Sequence, residues 1–297
     1  MIGNVGSIKI PGLLFFHRRF ILFRQSFAGM HVFLFLQKNI KDSNLRIFAL
    51  SDVHLEYREN AEWLFGLSRF DFQKDLLILA GDVSAKSELL EKALSFLKNC
   101  FQEVFFVPGN HDLWVRNRSN GNSLDKFQQI LRLAEELGIH TRPWHLDAVS
   151  IMPLFAWYDY SFGEPSAELR HIWMDYAACQ WPPDFNQRII TRTFLDLNEK
   201  HLADPGSFMI SFSHFLPRID LMPPYIPAHK QNLYPVLGTD LLNEQIKRLG
   251  SRIHVYGHSH VNRHVIMDRI AYINNAFGYP HEGRIAAKKL LCIHEMI

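Results

Sequence analysis

Cysteine is scarce in this 297-residue chain: Cys100, Cys179 and Cys292 are scattered, with no CxxC pair among them. That excludes a disulfide framework and a thiolate zinc site, fits a reducing compartment, and leaves three buried, inert thiols as the expectation. Also missing is any apolar run of the roughly 18 residues that a membrane-crossing helix needs. The first 41 residues contain no Asp or Glu, yet they hold Lys9, Arg18, Arg19, Arg24, Lys38 and Lys41. Taking those six from the 32 Lys and Arg leaves 26 against 30 Asp and Glu, so the formal net charge of +2 conceals a body with a balance of −4. The global positive excess that marks a general nucleic-acid binder is therefore absent, which argues against nucleic acid as a partner. No internal repeat and no low-complexity tract occurs either.

What the chain does have is 47% hydrophobic and 21% charged side chains, enough to bury a sizeable core in one large domain. Residues 1–44 stand apart, with phenylalanine-rich apolar runs at 13–16, 20–23 and 31–36 broken by His17, Arg18, Arg19 and Arg24. Basic, acid-free and amphipathic, this extension reads as a targeting peptide or interfacial membrane anchor, or else as a stretch with no role before the folded domain at 45–297. Without such targeting the expected location is the cytoplasm. From residue 45 onward, short apolar runs closed by Gly, Pro, Ser or Asp alternate with helical spacing, the signature of an α/β fold. Strands are expected at 46–50, 76–80, 104–107, 208–212, 253–256, 264–267 and 270–273, and helices at 61–70 and 86–97. The aromatic, proline-bearing stretch 144–205 reads as a helical insertion near the site.

Sixteen histidines are many for a charge-balanced chain, and histidine is the commonest metal ligand and proton carrier near neutral pH. Several fall where expected strands end. The first three strands close on Ser51-Asp52-Val53-His54, Gly81-Asp82 and Pro108-Gly109-Asn110-His111-Asp112, and later ones on Ser213-His214 and Gly257-His258-Ser259-His260. Ligands of open α/β sheets bind beyond the carboxyl ends of the strands, so the five clusters can meet in one crevice. Period-two spacing is expected to turn Asp52 and His54 to one side, and likewise His258 and His260. Taken singly, an Asp after a strand is more often a turn or cap residue; the joint pattern is what points to metal.

The ordered series DxH, GD, GNHD, H and GHSH across 52–260 resembles the calcineurin-like metallophosphoesterase superfamily, and the wording SDVHLEY, AGDV, VPGNHDLW, SFSHFLPR and VYGHSH strengthens the likeness. The resemblance implies a four-layer sandwich of two central mixed β-sheets flanked by helices. It further implies that Asp52, His54 and His260 hold one divalent cation, that Asn110, His214 and His258 hold a second, and that Asp82 bridges both. An oxygen and imidazole donor set suits manganese first, with iron or zinc as alternatives. Two such ions lower the pKa of a shared water, and the bridging hydroxide attacks a phosphate ester in line with the leaving alkoxide. His111 matches the histidine that stabilises phosphoryl oxygens or protonates the leaving group. Protein phosphatases of the superfamily carry an Asp three residues after the bridging one to orient that histidine; here Ala85 stands at that position, which argues against a protein phosphatase and leaves Asp112 as the candidate for the orienting role.

Trp114, Arg116 and Arg218 are candidate substrate contacts, Arg218 because a guanidinium grips phosphate bidentately; a solvated loop for Arg116 and a surface salt bridge for Arg218 are the plain alternatives. Trp157, Tyr158, Trp173 and Trp181 suit a stacking pocket or simple core packing, and nothing recruits His254, His264 or His281. The expected activity is metal-dependent hydrolysis of a small phosphomonoester or phosphodiester. A nuclease of the same superfamily and a non-catalytic interaction scaffold are the rival readings. Metal content with turnover separates the scaffold, and a steep salt dependence on oligonucleotides would mark the nuclease.

Overall fold

The computed structural model describes residues 21–27, 30–36, 45–115, 121–203 and 208–296. The chain divides into two compact units, Met1–Asp42 and Ser43–Ile297. In the first, β1 (Ile21–Phe27) and β2 (Met30–Leu36) pair antiparallel, Ile21 opposite Leu36 and Phe27 opposite Met30. The apolar runs at 20–23 and 31–36 thus fall largely on strands; the run at 13–16 lies outside the described residues. Among the described residues no helix is long and apolar enough to cross a membrane.

The second unit opens with β3 (Leu45–Leu50), α1 (Arg58–Phe65), β4 (Leu76–Leu79), α2 (Ser87–Cys100), β5 (Glu103–Phe106) and α3 (Ser123–Glu136). It continues through β6 (Trp144–Leu146), β7 (Val149–Pro153), α4 (Ala167–Ile172), α5 (Asp175–Ala178), α6 (Gln187–Glu199), β8 (Phe208–Phe212) and α7 (Asp240–Arg248). The last strands are β9 (Ile253–Tyr256), β10 (Arg263–Met267), β11 (Ile270–Asn274) and β12 (Leu291–Met296). Two mixed sheets result, of strand order β12-β3-β4-β5 and β10-β11-β9-β8-β7-β6. In the first, β3, β4 and β5 are parallel and β12 antiparallel at the edge; in the second, β7, β8, β9 and β11 are parallel between antiparallel edges.

Side-chain alternation sorts the core into layers. Ile47, Ala49, Leu76, Ile78 and Phe105 face one way and pack with Ile151, Ile210, Phe212 and Val255 between the sheets. Their neighbours Phe48, Leu50, Leu77, Leu79 and Phe106 face outward onto Leu90, Leu94 and Leu97 of α2 and Phe127 and Ile130 of α3. On the far side Met152, Met209, Tyr256 and Tyr272 meet Leu195 of α6 and Leu242 and Ile246 of α7. Buried positions of α2 recur at Leu90, Ala93, Leu94 and Leu97, one stripe of a helix turned to a sheet. This is the helix–sheet–sheet–helix arrangement expected. One element of that expectation fails: 144–153 is not part of a helical insertion but forms β6 and β7, and β7 pairs with β8 inside the second sheet. Its five residues are all buried, and the sheet's need for a partner beside β8 outweighs the weak local signal of Val-Ser-Ile-Met-Pro.

Candidate metal centre

The chain leaves β3, β4, β8 and β9 at the same end of the two sheets, and the loops there continue one another's hydrogen bonding. Asp52 N–H donates to Gly81 O at 2.9 Å, His54 N–H to Asp82 O at 3.0 Å and Gly257 N–H to His214 O at 2.9 Å. Backbone conformation marks the place. Nine non-glycine residues among those described have positive φ, and five of them are Asp52 (55°), His54 (47°), Asp82 (55°), His258 (66°) and His260 (54°). A left-handed conformation of a non-glycine residue costs on the order of 1–3 kcal/mol and persists only where surroundings over-determine it. The strand-like alternation expected to aim these side chains is therefore not what aims them: each pair is aimed by two left-handed residues in a loop. His258 and His260 also point to different halves of the cluster, not to one side.

In one half, His54 Nε2 lies 3.0 Å from His260 Nε2, and His260 Nε2 lies 3.4 Å from Asp52 Oδ1. In the other, His214 Nε2 lies 3.0 Å from Asn110 Oδ1 and 3.1 Å from His258 Nδ1. Asp82 stands between, its Oδ2 3.9 Å from His54 Nε2 and its Oδ1 3.5 Å from His214 Nε2. Seven residues whose positions span more than 200 in sequence thus meet, all of them buried. Three groups have ligand atoms close enough to share an ion: Asp52 with His54 and His260; Asp82 with His214 and His258; and His54 with Asp82 and His111.

Hydrogen-bond partners fix which face each ligand presents. His214 Nδ1 donates to Ala80 O at 2.9 Å and His258 Nε2 to Val236 O at 3.0 Å, because a carbonyl can only accept. The lone pairs of His214 Nε2 and His258 Nδ1 therefore face each other. Asn110 Nδ2 donates to Asp175 Oδ1 at 2.8 Å, so Asn110 Oδ1 turns into the same space. Three acceptors without a proton between them are an arrangement that a cation satisfies. On the other side His260 Nδ1 donates to Glu282 Oε2 at 2.6 Å, a carboxylate–histidine pairing typical behind metal ligands. The buried Nδ1 of His54 has no hydrogen-bond partner.

Electrostatics pull the same way. Burial, then the nearby charges of Asp112 and Asp52, push the Asp82 carboxyl well above the usual carboxylate range. Burial lowers His260, but Asp52 and Glu282 raise it to about 9, so positive charge is favoured at its Nε2. Burial holds His54, His214 and His258 neutral, the form that binds metal. The donor set thus fits divalent cations.

His111 sits at the rim, Nε2 3.9 Å from Asp82 Oδ2, its ring stacked on Trp114 at 3.8 Å and 27°. Burial lowers its pKa to about 3. Asp112 does not orient it. Both Asp112 oxygens are taken by backbone N–H groups, from Asp82 at 2.9 Å, Gly109 at 2.8 Å, Val83 at 3.0 Å and Ser84 at 2.9 Å. The carboxylate staples two of these loops together, and the indole of Trp114 stacks on His111. Trp114 is half-buried, and its indole N–H is bonded to Asp175 Oδ1 at 2.7 Å. Arg218 is committed elsewhere, to Asp220 at 2.6 and 2.7 Å and to Asp268 at 2.7 Å, so the salt-bridge alternative holds. Arg116 lies outside the described residues. Trp157 and Tyr158 are core, and His254 is a buried structural residue bonded to Ser211 and Ser213.

Glycines let these loops touch. A Cβ on Gly109 would fall 2.2 Å from Asp82 Oδ1, and one on Gly81, whose φ is +82°, 2.6 Å from His214 Nδ1. Residues that no motif announced complete the surroundings: Asp175, Trp173 beside His258 at 5.8 Å, Glu282, and Tyr279, whose ring lies 4.6 Å from His54 and 4.8 Å from His260.

The model of the calcineurin-like phosphoesterase family matches residues 45–262. The acyl-carrier-protein phosphodiesterase PptH of Mycobacterium tuberculosis is 26% identical over 274 residues, 80% of this chain and 79% of the relative. An uncharacterised protein of Acanthamoeba polyphaga mimivirus is 23% identical over 258 residues, 78% of this chain and 91% of that one. The crystal structure described as phosphopantetheinyl hydrolase (PptH) from M. tuberculosis superposes with a TM-score of 0.69 at 23% identity, covering 81% of this chain and 92% of that one; at that identity the likeness speaks for the fold.

Proposed function

The chain belongs to the calcineurin-like phosphoesterase family and is a metal-dependent phosphoric ester hydrolase; we propose that it works with two divalent cations and hydrolyses a phosphodiester. Asp52, His54 and His260 would hold the first cation and Asn110, His214 and His258 the second, with Asp82 between the two groups. The observation that carries this reading is the convergence of acceptor faces about Asp82, fixed by the Ala80, Val236, Asp175 and Glu282 partners. Manganese is the proposed metal, with iron or zinc as alternatives on the same donor chemistry. Bound there, the pair would supply a water of lowered pKa and neutralise phosphate oxygens. Residues 45–297 form the proposed catalytic domain, with 1–44 as an extension, and the proposed location is the cytoplasm unless that extension directs the chain elsewhere.

The chain's own groups do the rest. His111, neutral and steadied by Trp114, offers an N–H beside Asp82, on the side where phosphoryl or leaving-group oxygen charge develops. The choice of a diester rests on the relative PptH, which is named a phosphodiesterase. PptH is named for an acyl-carrier-protein and a phosphopantetheinyl group. The proposed substrate is accordingly a diester joining such a group to a protein, in place of the small ester expected from sequence.

The test incubates manganese-reconstituted chain with a phosphopantetheinylated carrier protein, with bis(p-nitrophenyl) phosphate and with p-nitrophenyl phosphate. Release of phosphopantetheine, read by intact-protein mass, and preference for the diester over the monoester are expected. Faster hydrolysis of the monoester, with the carrier protein untouched, overturns the substrate assignment.

A further inference from the structure

Asp175 lies in the segment between the two sheets' contributions to the site, at the start of the four-residue α5, and is 3% exposed. Its Oδ1 accepts from Asn110 Nδ2 at 2.8 Å and from Trp114 Nε1 at 2.7 Å, and its Oδ2 from Trp173 Nε1 at 2.9 Å. Each of those partners touches a different part of the centre. Asn110 Oδ1 faces His214 Nε2 at 3.0 Å, the Trp114 ring lies on His111 at 3.8 Å, and the Trp173 ring meets His258 edge-on at 5.8 Å. Backbone bonds tie the same segment to the loop: Val115 N–H to Ala178 O at 2.8 Å and Ser123 N–H to Gln180 O at 2.7 Å. Lys126 Nζ adds a bond to Trp114 O at 2.7 Å.

We infer that Asp175 is the positioning residue of this centre, a single carboxylate that sets the amide face of one metal ligand and fixes the indole platform under His111. An amide has two chemically different ends of nearly equal size, and only a committed acceptor at Nδ2 decides which end faces inward. With Asp175 in place, Asn110 must present oxygen to the cluster. The same Oδ1 pins the Trp114 ring in plane with its N–H, and the ring in turn sets the tilt of His111. One side chain therefore couples ligand orientation to donor orientation, although it touches neither ion nor substrate. The inference rests on the proposed two-cation reading.

The test compares the full-length wild type with Asp175→Asn and Trp114→Phe, each titrated with Mn²⁺ by calorimetry and assayed on two diesters, one leaving as p-nitrophenolate and one as an alkyl alkoxide. An Asn at 175 loses the charge that strengthens all three bonds, and its NH₂ must face either the Trp173 N–H or the N–H groups of Asn110 and Trp114, donor against donor. Asp175→Asn should weaken one Mn²⁺ site by about 10–100-fold, the usual consequence of losing a partner behind a metal ligand, and should slow the alkyl diester more than the nitrophenyl one. Trp114→Phe keeps the ring and removes only the N–H, so it should retain Mn²⁺ affinity and show the leaving-group effect alone. If Asp175→Asn fails to fold, Trp114→Phe decides the donor arm. Wild-type Mn²⁺ affinity together with wild-type rates on both diesters in Asp175→Asn overturns the inference, as do wild-type rates on both in Trp114→Phe. A wild type that neither binds Mn²⁺ nor cleaves any ester fails the two-cation reading instead.

Discussion

Replacing Asp82 by Asn separates fold from function at the centre of the site. The two side chains have the same shape, and Asn tolerates the left-handed φ of 55° that Asp82 adopts. Its Oδ1 can still accept the His111 N–H now bonded at 2.9 Å. Only charge is lost, and in the metal-free protein that charge is a liability, since burial and the carboxylates of Asp112 and Asp52 all disfavour it. Metal-free Asp82→Asn should therefore melt no lower than metal-free wild type. The metal-loaded proteins should differ in the opposite sense. At 100 times its dissociation constant a bound cation stabilises the native state by about 2.7 kcal/mol, and for a unit of this size each kcal/mol moves Tm by about 2–4 °C. Wild type should gain roughly 5–10 °C per cation, and the variant little or none. Turnover should fall by about 10³-fold or more, about 4 kcal/mol of transition-state stabilisation. Differential scanning fluorimetry with EDTA or Mn²⁺, beside a diester assay, reads both effects. A variant that keeps the full Mn²⁺-dependent shift and its turnover would refute the reasoning.

His111→Ala should lose far more rate on a diester with an alkyl leaving group than on one leaving as nitrophenolate, whose charge is already spread over its ring; equal losses assign His111 to the phosphoryl oxygens instead. Gly109→Ala places a Cβ 2.2 Å from Asp82 Oδ1 and 2.6 Å from the Asp82 backbone nitrogen. It should cost about 2–3 kcal/mol in urea unfolding and at least about 100-fold in kcat, because neither neighbour can retreat without moving the ligand. Far from the site, burial works to raise Glu103, but hydrogen bonds from His140 and Lys98 lower its pKa to about 2 from an ordinary 4.5. A depressed folded-state pKa contributes stability that is present above about pH 4.5 and lost as pH falls toward 2. After allowance for solvent screening this amounts to about 1 kcal/mol; the unfolding free energy of Glu103→Gln, from urea titrations, should trail wild type by that much above pH 5 and match it near pH 2.

The strands were readable because parallel strands buried on both faces appear as unbroken apolar runs, as in Leu-Leu-Ile-Leu of β4. The site was readable because motifs at strand ends are short and local. What escaped lacks a local rule. Strand β7 mixes Ser150 and Pro153 into five residues and is specified by its neighbours rather than by its own text. Asp175 reaches Asn110 across 65 residues and Glu282 reaches His260 across 22, and neither distance corresponds to a helical or strand period. Arg218 sits four positions after His214, which suggested a phosphate contact, but its partner Asp268 comes from 50 residues away. The aiming of Asp52 and His54 was assigned to strand alternation because no sequence rule announces two left-handed residues flanking a valine.

That left-handed geometry explains why so many groups around the centre bind backbone instead of substrate. Five strained ligands oppose folding at on the order of 1–3 kcal/mol each, so the loops must be held from outside the cluster. Asp112 does this with four backbone N–H groups of the Asp82 and Gly109 loops. On the other side Lys288 Nζ donates to the carbonyls of Phe277, Gly278 and Tyr279, with Gly278 and Tyr279 at 2.9 Å. Gly278 N–H in turn holds Asp52 O at 2.9 Å. These bonds involve none of the candidate ligand atoms. The fold itself thus shapes these loops, and on the two-cation reading binding energy is not consumed in ordering them.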